Sequence, residues 1–123
     1  MKENVVRERS FAFAIRIVDL YRFLCEKKKE FVMAKQVLRA GTSVGANIAE
    51  AEYAISRKDF LSKIYIAYKE CGETRYWLEL LHKTGYIDLP EYASITSDCN
   101  EILRILTAIT KTMRKDQKIS NGQ

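Results

Sequence analysis

The chain has 123 residues, enough for one domain and too few for a second of ordinary size. Hydrophobic residues make up 47% and charged residues 30%, a globular balance, and five glycines with a single proline, Pro90, favour long helices over turn-rich all-β and α/β folds. The net charge of +5 and a pI near 9.1 favour polyanionic partners without specifying one.

No uninterrupted apolar run approaches the ~20 residues that a membrane span requires. Residues 1–10 are charged and no small-residue cleavage site follows them, so the chain reads as cytoplasmic, with no membrane partner. Its three cysteines, Cys25, Cys71 and Cys99, are far apart and set in apolar stretches. That suits free thiols in a reducing compartment better than a zinc site.

The hydrophobic spacing predicts an all-α chain, an antiparallel up-down four-helix bundle. Helices are expected over about 10–28, 30–55, 57–83 and 90–115, with a flexible polar tail over 116–123. Ser10 is the expected N-cap of the first helix. This helix carries two apolar rows, Phe11, Ala14, Val18, Tyr21 and Cys25 in one, Phe13, Ile17, Leu20 and Leu24 in the other. Together they span roughly 200°, about twice the stripe that a surface helix needs. The first row reads as the core seam. The surplus row, Phe13, Ile17, Leu20 and Leu24, is expected at an oligomer interface.

The second helix offers the seam Phe31, Ala34, Leu38, Gly41, Gly45 and Ile48. Its glycine-rich stretch, residues 41–47, lacks the lysine of a phosphate-binding loop and follows no strand. Gly41, Gly45 and Ala49 lie four apart and form a small-residue strip on which another helix can pack closely. That packing would compensate a cost of about 1 kcal/mol per mid-helix glycine. The opposite side is polar, with Gln36, Arg39, Ser43, Asn47 and Glu50.

Ser56 and Asp59 have capping-box spacing at the start of the third helix, whose seam is Phe60, Ile64, Ala67, Cys71, Thr74, Leu78 and Leu81. Gly85 is the expected stop. Pro90 opens the fourth helix, with the seam Tyr92, Ile95, Cys99, Ile102, Leu106, Ile109 and Met113. Glu70 and Glu73 are candidate paired carboxylates, but ion pairs explain them more simply. Glu79 and His82 have the Glu-x-x-His spacing of di-iron bundles without the second copy such a site requires. With one histidine and no Ser/His/Asp or Cys/His arrangement, the expectation is a non-enzyme with no catalytic residue, metal or cofactor.

In an up-down bundle the start of the first helix, the second turn and the end of the fourth helix share one end. That end collects Lys2, Arg7, Arg9, Arg57, Lys58, Lys111, Arg114, Lys115 and Lys118 against Glu3, Glu8, Glu52, Asp59 and Asp116. The opposite end is nearly balanced, with Lys27, Lys28, Lys29, Lys35 and Lys83 against Glu26, Glu30, Asp88 and Glu91. Arg7, Arg9, Arg57, Lys58, Lys111, Arg114 and Lys115 are therefore the expected nucleic-acid contacts, acting on phosphate with no base-reading motif.

Residues 34–51 and 58–78, with the strings T-S-V-G-A-N-I-A-E and K-E-C-G-E-T-R-Y-W, closely resemble the proteins encoded in intervening sequences of bacterial 23S rRNA genes. That S23 family also includes the accessory variability protein of diversity-generating retroelements. The resemblance covers roughly residues 8–115. It implies a homopentamer of four-helix protomers with a basic surface, and RNA or DNA and a reverse transcriptase or other protein as partners. Ser43, Asn47, Glu50, Glu70, Glu73, Tyr76 and Trp77 match the family strings and are expected to be structural or interface residues. Gly41 and Gly72 depart from the helix formers expected there, so their helices are expected to be locally softer. A protein-interaction scaffold without nucleic-acid binding is the alternative function.

Overall fold

The computed structural model describes residues 2–120, with side chains over 4–115. Four helices follow one another, α1 (Lys2–Glu26), α2 (Val32–Ala51), α3 (Arg57–Lys83) and α4 (Leu89–Ser120), and there is no strand among the described residues. Each helix packs on two neighbours, α1 on α2 and α4, and α3 on α2 and α4. Side-chain pairs give the directions. Arg7 meets Glu52, Lys63 meets Glu50, Arg57 meets Met113 and Arg9 meets Glu101, so each packed pair is antiparallel.

The helix ends follow local chemistry. Glu30 closes the first turn by a hydrogen bond from its amide to the Leu24 carbonyl, around Lys29 at φ 55°. Its carboxylate then accepts from the Ala34 amide of α2, satisfying a donor that the helix itself leaves unpaired. At the start of α3 the Ser56 hydroxyl accepts from the Asp59 amide, and Asp59 accepts in return from the Ile55 amide. α3 stops at Gly85, whose φ of 87° lets Tyr86 and Gly85 donate back to Leu81 and His82.

Three boundaries differ from the sequence reading. α1 begins at Lys2 and not at Ser10, whose buried hydroxyl donates to the Arg7 carbonyl inside the helix. The core row extends upstream to Val6, and that burial carries the helix past the expected cap. α2 ends at Ala51 and not near residue 55, because amides 52–54 turn to carbonyls three residues back before the α3 cap. α4 remains helical to Ser120, through much of the expected tail, and residues 121–123 lie outside the described part.

The expected division of α1 into a core row and an interface row does not hold. Phe13, Ile17, Leu20 and Leu24 are at most 5% exposed within a single chain, so they are core residues and not an oligomer interface. Of the expected seam only Phe11, at 69%, is exposed, Ala14, Val18, Tyr21 and Cys25 being half-buried, and Ile15, which belongs to neither row, is 53% exposed beside it. The reason lies in α2. A Cβ added to Gly41 would sit 2.7 Å from Ile17 Cγ1, and one added to Gly45 would sit 3.2 Å from the Ser10 carbonyl oxygen. Ile17 thus seats on a missing side chain, which turns its own row inward. Ala49, the third residue of the small strip, is exposed.

Gly72 is the opposite case. It is exposed in the middle of α3, and no atom counted as a neighbour lies within 4 Å of the place its Cβ would occupy. Gly72→Ala should raise stability by about 1 kcal/mol, the ordinary helix-propensity gain. Gly41→Ala should lower it, because overpacking against fully buried Ile17 costs roughly 1–3 kcal/mol and outweighs that gain. Urea midpoints of the two variants should move in opposite directions. If both rise, the Ile17 contact does not constrain α1.

Candidate nucleic-acid interface

The bundle does gather the predicted basic residues toward one end, but it uses several of them internally. Arg7 binds Glu52 at 2.6 Å and Arg9 binds Glu101 at 2.7 Å, tying α1 to the end of α2 and to α4. Arg57 directs its guanidinium to Met113 Sδ at 3.9 Å, and Arg114 lies over the Tyr65 ring at 5.2 Å. Lys58, Lys111 and Lys115 are exposed and form no ion pair among the described residues. The side chains of Lys2 and Lys118 lie outside the described part.

A further group of cations lies along the groove between α3 and α4, which includes Lys111. Arg75, Asn100, Leu103, Arg104, Thr107, Ala108 and Lys111 line an open cavity of about 610 Å³ without a carboxylate. Arg75 and Arg104 are exposed and form no ion pair among the described residues, and sequence reasoning did not single them out. A signal was present. On α4 the acids Asp98 and Glu101 occupy the stripe facing α1, where they hold Arg16 and Arg9, whereas Arg104 and Lys111 recur seven apart on the stripe facing α3. Sorting charges by helix face, and not by bundle end, separates the two.

The family-string residues join α2 to α3. Arg39 pairs with Glu73 and reaches Glu70 at 3.5 Å, and Glu50 binds Lys63 at 3.2 Å. Ser43 donates to the Arg39 carbonyl and Asn47 to the Ser43 carbonyl, so these two serve their own helix. Trp77 Nε1 donates to Glu73 at 3.0 Å, and Tyr76 meets the Trp77 ring edge-on. His82 stacks on Tyr92, with Nδ1 placed 3.0 Å from the Ile87 carbonyl oxygen, at the α3/α4 turn. No cluster of His, Cys, Asp and Glu able to hold a metal occurs among the described residues. Cys71 and Cys99 are buried; hydrogen bonding with Cys99 and then burial push the Cys71 thiol upward, away from the reactive thiolate.

A second surface is apolar. Phe11, Ala14, Ile15, Ala46, Ala49 and Tyr53 line a groove of about 790 Å³ between α1 and α2, with Arg7 and Glu52 at its rim. Its shape follows from the Gly41 contact, which turns Phe11 and Ile15 outward beside the small residues of α2.

The hydrogen bond from Trp77, followed by the nearby Arg39 charge, holds the Glu73 carboxyl below its usual range. Its contribution to stability is therefore complete above the unfolded glutamate pKa of about 4.3 and is lost as pH falls through the lower folded value. The carboxylate is 38% exposed, so the effect should be no more than about 1 kcal/mol. Denaturation midpoints of the wild type and Glu73→Gln should differ most near neutral pH and draw together as pH falls below the unfolded value of about 4.3. A gap that stays constant down to about pH 3 would mean that the carboxylate charge contributes nothing.

Residues 2–108 match the family model described as 23S rRNA-intervening sequence protein. The chain is also similar to a crystal structure from Bacteroides thetaiotaomicron VPI-5482, a protein of unknown function from the S23 ribosomal protein family. The identity is 58%, over 90% of this chain and 99% of that one, with a TM-score of 0.89. None of the curated proteins matches. A family match over most of the length, joined to a relative this similar in sequence and backbone, settles the kinship: the chain belongs to the 23S rRNA-intervening sequence protein family.

Proposed function

We propose that the protein is a non-catalytic, oligomeric accessory protein that binds RNA or DNA through basic side chains. The observation that carries this reading is the α3/α4 groove, where Arg75, Arg104 and Lys111 converge without a carboxylate. In the same chain Arg7, Arg9, Arg16 and Arg39 are each held by an acid. Guanidinium groups left unneutralised at an open surface attract phosphate and bind it bidentately. Lys58, Arg114 and Lys115 extend the positive surface toward the end of the bundle.

Assembly is the second half of the proposal. The apolar α1/α2 groove accepts a second copy of the chain, and the exposed Phe11 and Ile15 supply the anchors. The homopentamer implied by the family resemblance would repeat the basic groove around a ring. The same apolar groove favours one other reading, a scaffold that recruits a protein partner such as a reverse transcriptase and whose charge serves solubility.

Light scattering on a gel-filtration column, with and without mixed RNA and DNA fragments at two salt concentrations, tests both halves. An oligomer that shifts with nucleic acid at low salt is the expected outcome. Phe11→Glu combined with Ile15→Glu should reduce the mass to one protomer. Arg75→Glu, Arg104→Glu and Lys111→Glu together should abolish binding at moderate salt while leaving the mass unchanged. For three phosphate contacts, log affinity should fall with log salt at a slope of about −2 on a single strand. A stable oligomer indifferent to nucleic acid would replace this reading with the scaffold.

A further inference from the structure

The α3/α4 groove has a composition that phosphate binding alone does not require. On α3, Tyr65, Tyr68, Gly72, Arg75 and Glu79 succeed one another in steps of three and four and therefore share one stripe, whose basic part ends at Arg75. On α4, Asn100, Arg104, Thr107, Lys111 and Arg114 do the same. The helices are antiparallel and Arg114 lies over Tyr65, so the two stripes face each other across the groove, with Arg75 toward Arg104 at one end. Lys58 continues the α3 stripe, and from Lys58 to Arg75 it runs roughly 25 Å.

Two tyrosines of α3 lie beside cations contributed by both helices. Tyr68 is 42% exposed, Thr107 and Ala108 are the small residues of the cavity wall, and exposed Gly72 lies on the adjoining α3 stripe between Tyr68 and Arg75. Gly72 adds an independent observation. A glycine in mid-helix weakens the helix, yet no neighbouring group of the chain occupies the space that its missing side chain leaves. At Gly41 the missing side chain admits Ile17, whereas at Gly72 nothing among the described residues, its own stretch of helix aside, lies within 4 Å of its place.

We infer that this groove takes an extended single strand of nucleic acid, with phosphates on Arg75, Arg104 and Lys111 and a base stacked on Tyr68 over the open backbone at Gly72. The inference rests on the nucleic-acid reading and specifies its substrate class. A planar base can approach Gly72 closely because no Cβ intervenes, and any base can stack on an exposed tyrosine. A duplex is wider than a groove between helices whose axes lie about 8–10 Å apart, so it would meet the outer cations only and use neither Tyr68 nor Gly72. A second copy seated here in the symmetric, face-to-face manner would bring Arg75 and Arg104 against like charges.

Fluorescence anisotropy on the full chain distinguishes these occupants, with labelled oligothymidylate and a labelled blunt duplex of equal length as probes. The single strand should bind at least about ten-fold tighter than the duplex. Tyr68→Ala should weaken the single strand by about ten-fold, within the range of one lost stacking contact, and leave its salt slope unchanged. Gly72→Leu should weaken it similarly while keeping every charge, and thermal melting should show it folded, since leucine is the better helix former. Arg104→Glu should weaken both probes and flatten the salt dependence.

Equal binding of both probes, with Tyr68→Ala and Gly72→Leu silent but Arg104→Glu effective, would overturn the single-strand inference and leave the nucleic-acid reading standing. Failure of the wild type to bind either probe would overturn both. Displacement of oligothymidylate by polyglutamate at equal charge, as effective as by unlabelled oligothymidylate, would make the groove a site for acidic polymers and also overturn the inference.

Discussion

Ile17 packs where a glycine at 41 leaves no side chain, and the orientation of α1 about its own axis follows from that contact. Both long faces of α1 are apolar enough to be buried, so hydrophobicity alone gives this helix two acceptable orientations. The α2 surface accepts only one of them closely. Gly41 seats Ile17 and Gly45 lies against the Ser10 backbone, which sends Phe13, Leu20 and Leu24 inward with Ile17. Phe11 and Ile15 are then left outside, beside Ala46 and Ala49, and the apolar groove is formed by what the core does not take.

The charges follow from the same geometry. Once α1 is oriented, Arg9 and Arg16 point to α4 and engage Glu101, Asp98 and Glu91. On the other side Arg39 engages Glu73 and Glu70 across α2 and α3. The acids are thereby concentrated at three of the four helix junctions, α1/α2, α1/α4 and α2/α3. The α3/α4 junction is joined through apolar side chains, the His82–Tyr92 stack, Arg57 on Met113, Arg114 over Tyr65, and the buried Cys99 thiol, which donates to the Cys71 carbonyl at 3.6 Å. The cavity on its outer side is lined by two arginines and a lysine, with no carboxylate among the described lining residues. A chain of only +5 net charge thus carries a face whose local charge is much more positive than its average.

The two surfaces have different chemistry and lie on opposite junctions of the bundle, α1/α2 and α3/α4. That separation lets an assembly bury the apolar groove without covering the basic one. In a closed ring the same arrangement would repeat the basic groove once per protomer, so affinity for a long strand would rise through linked sites without any new contact.

Much of the helical framework was legible in the sequence because it depends on local rules. The steps of three and four in α3 and α4 mark Ile64, Ala67, Cys71 and Leu78, and Ile95, Cys99, Ile102 and Leu106, all of them buried. The Ser56–Asp59 box and Gly85 mark their ends by hydrogen bonds that span a few residues. The rotation of α1 was not legible, since two apolar rows compete and the decision rests on Gly41, more than twenty residues away in the chain. Nor was the division of cations into those held by acids and those left open, because Arg9–Glu101 and Arg39–Glu73 join residues distant in sequence. The sequence by itself determined where helices form and what the family is, through periodicity, caps and two motif strings. Only the tertiary structure decided which face is core, which arginines are spent on the fold and which remain for a partner, because those depend on distances between helices that no local pattern encodes.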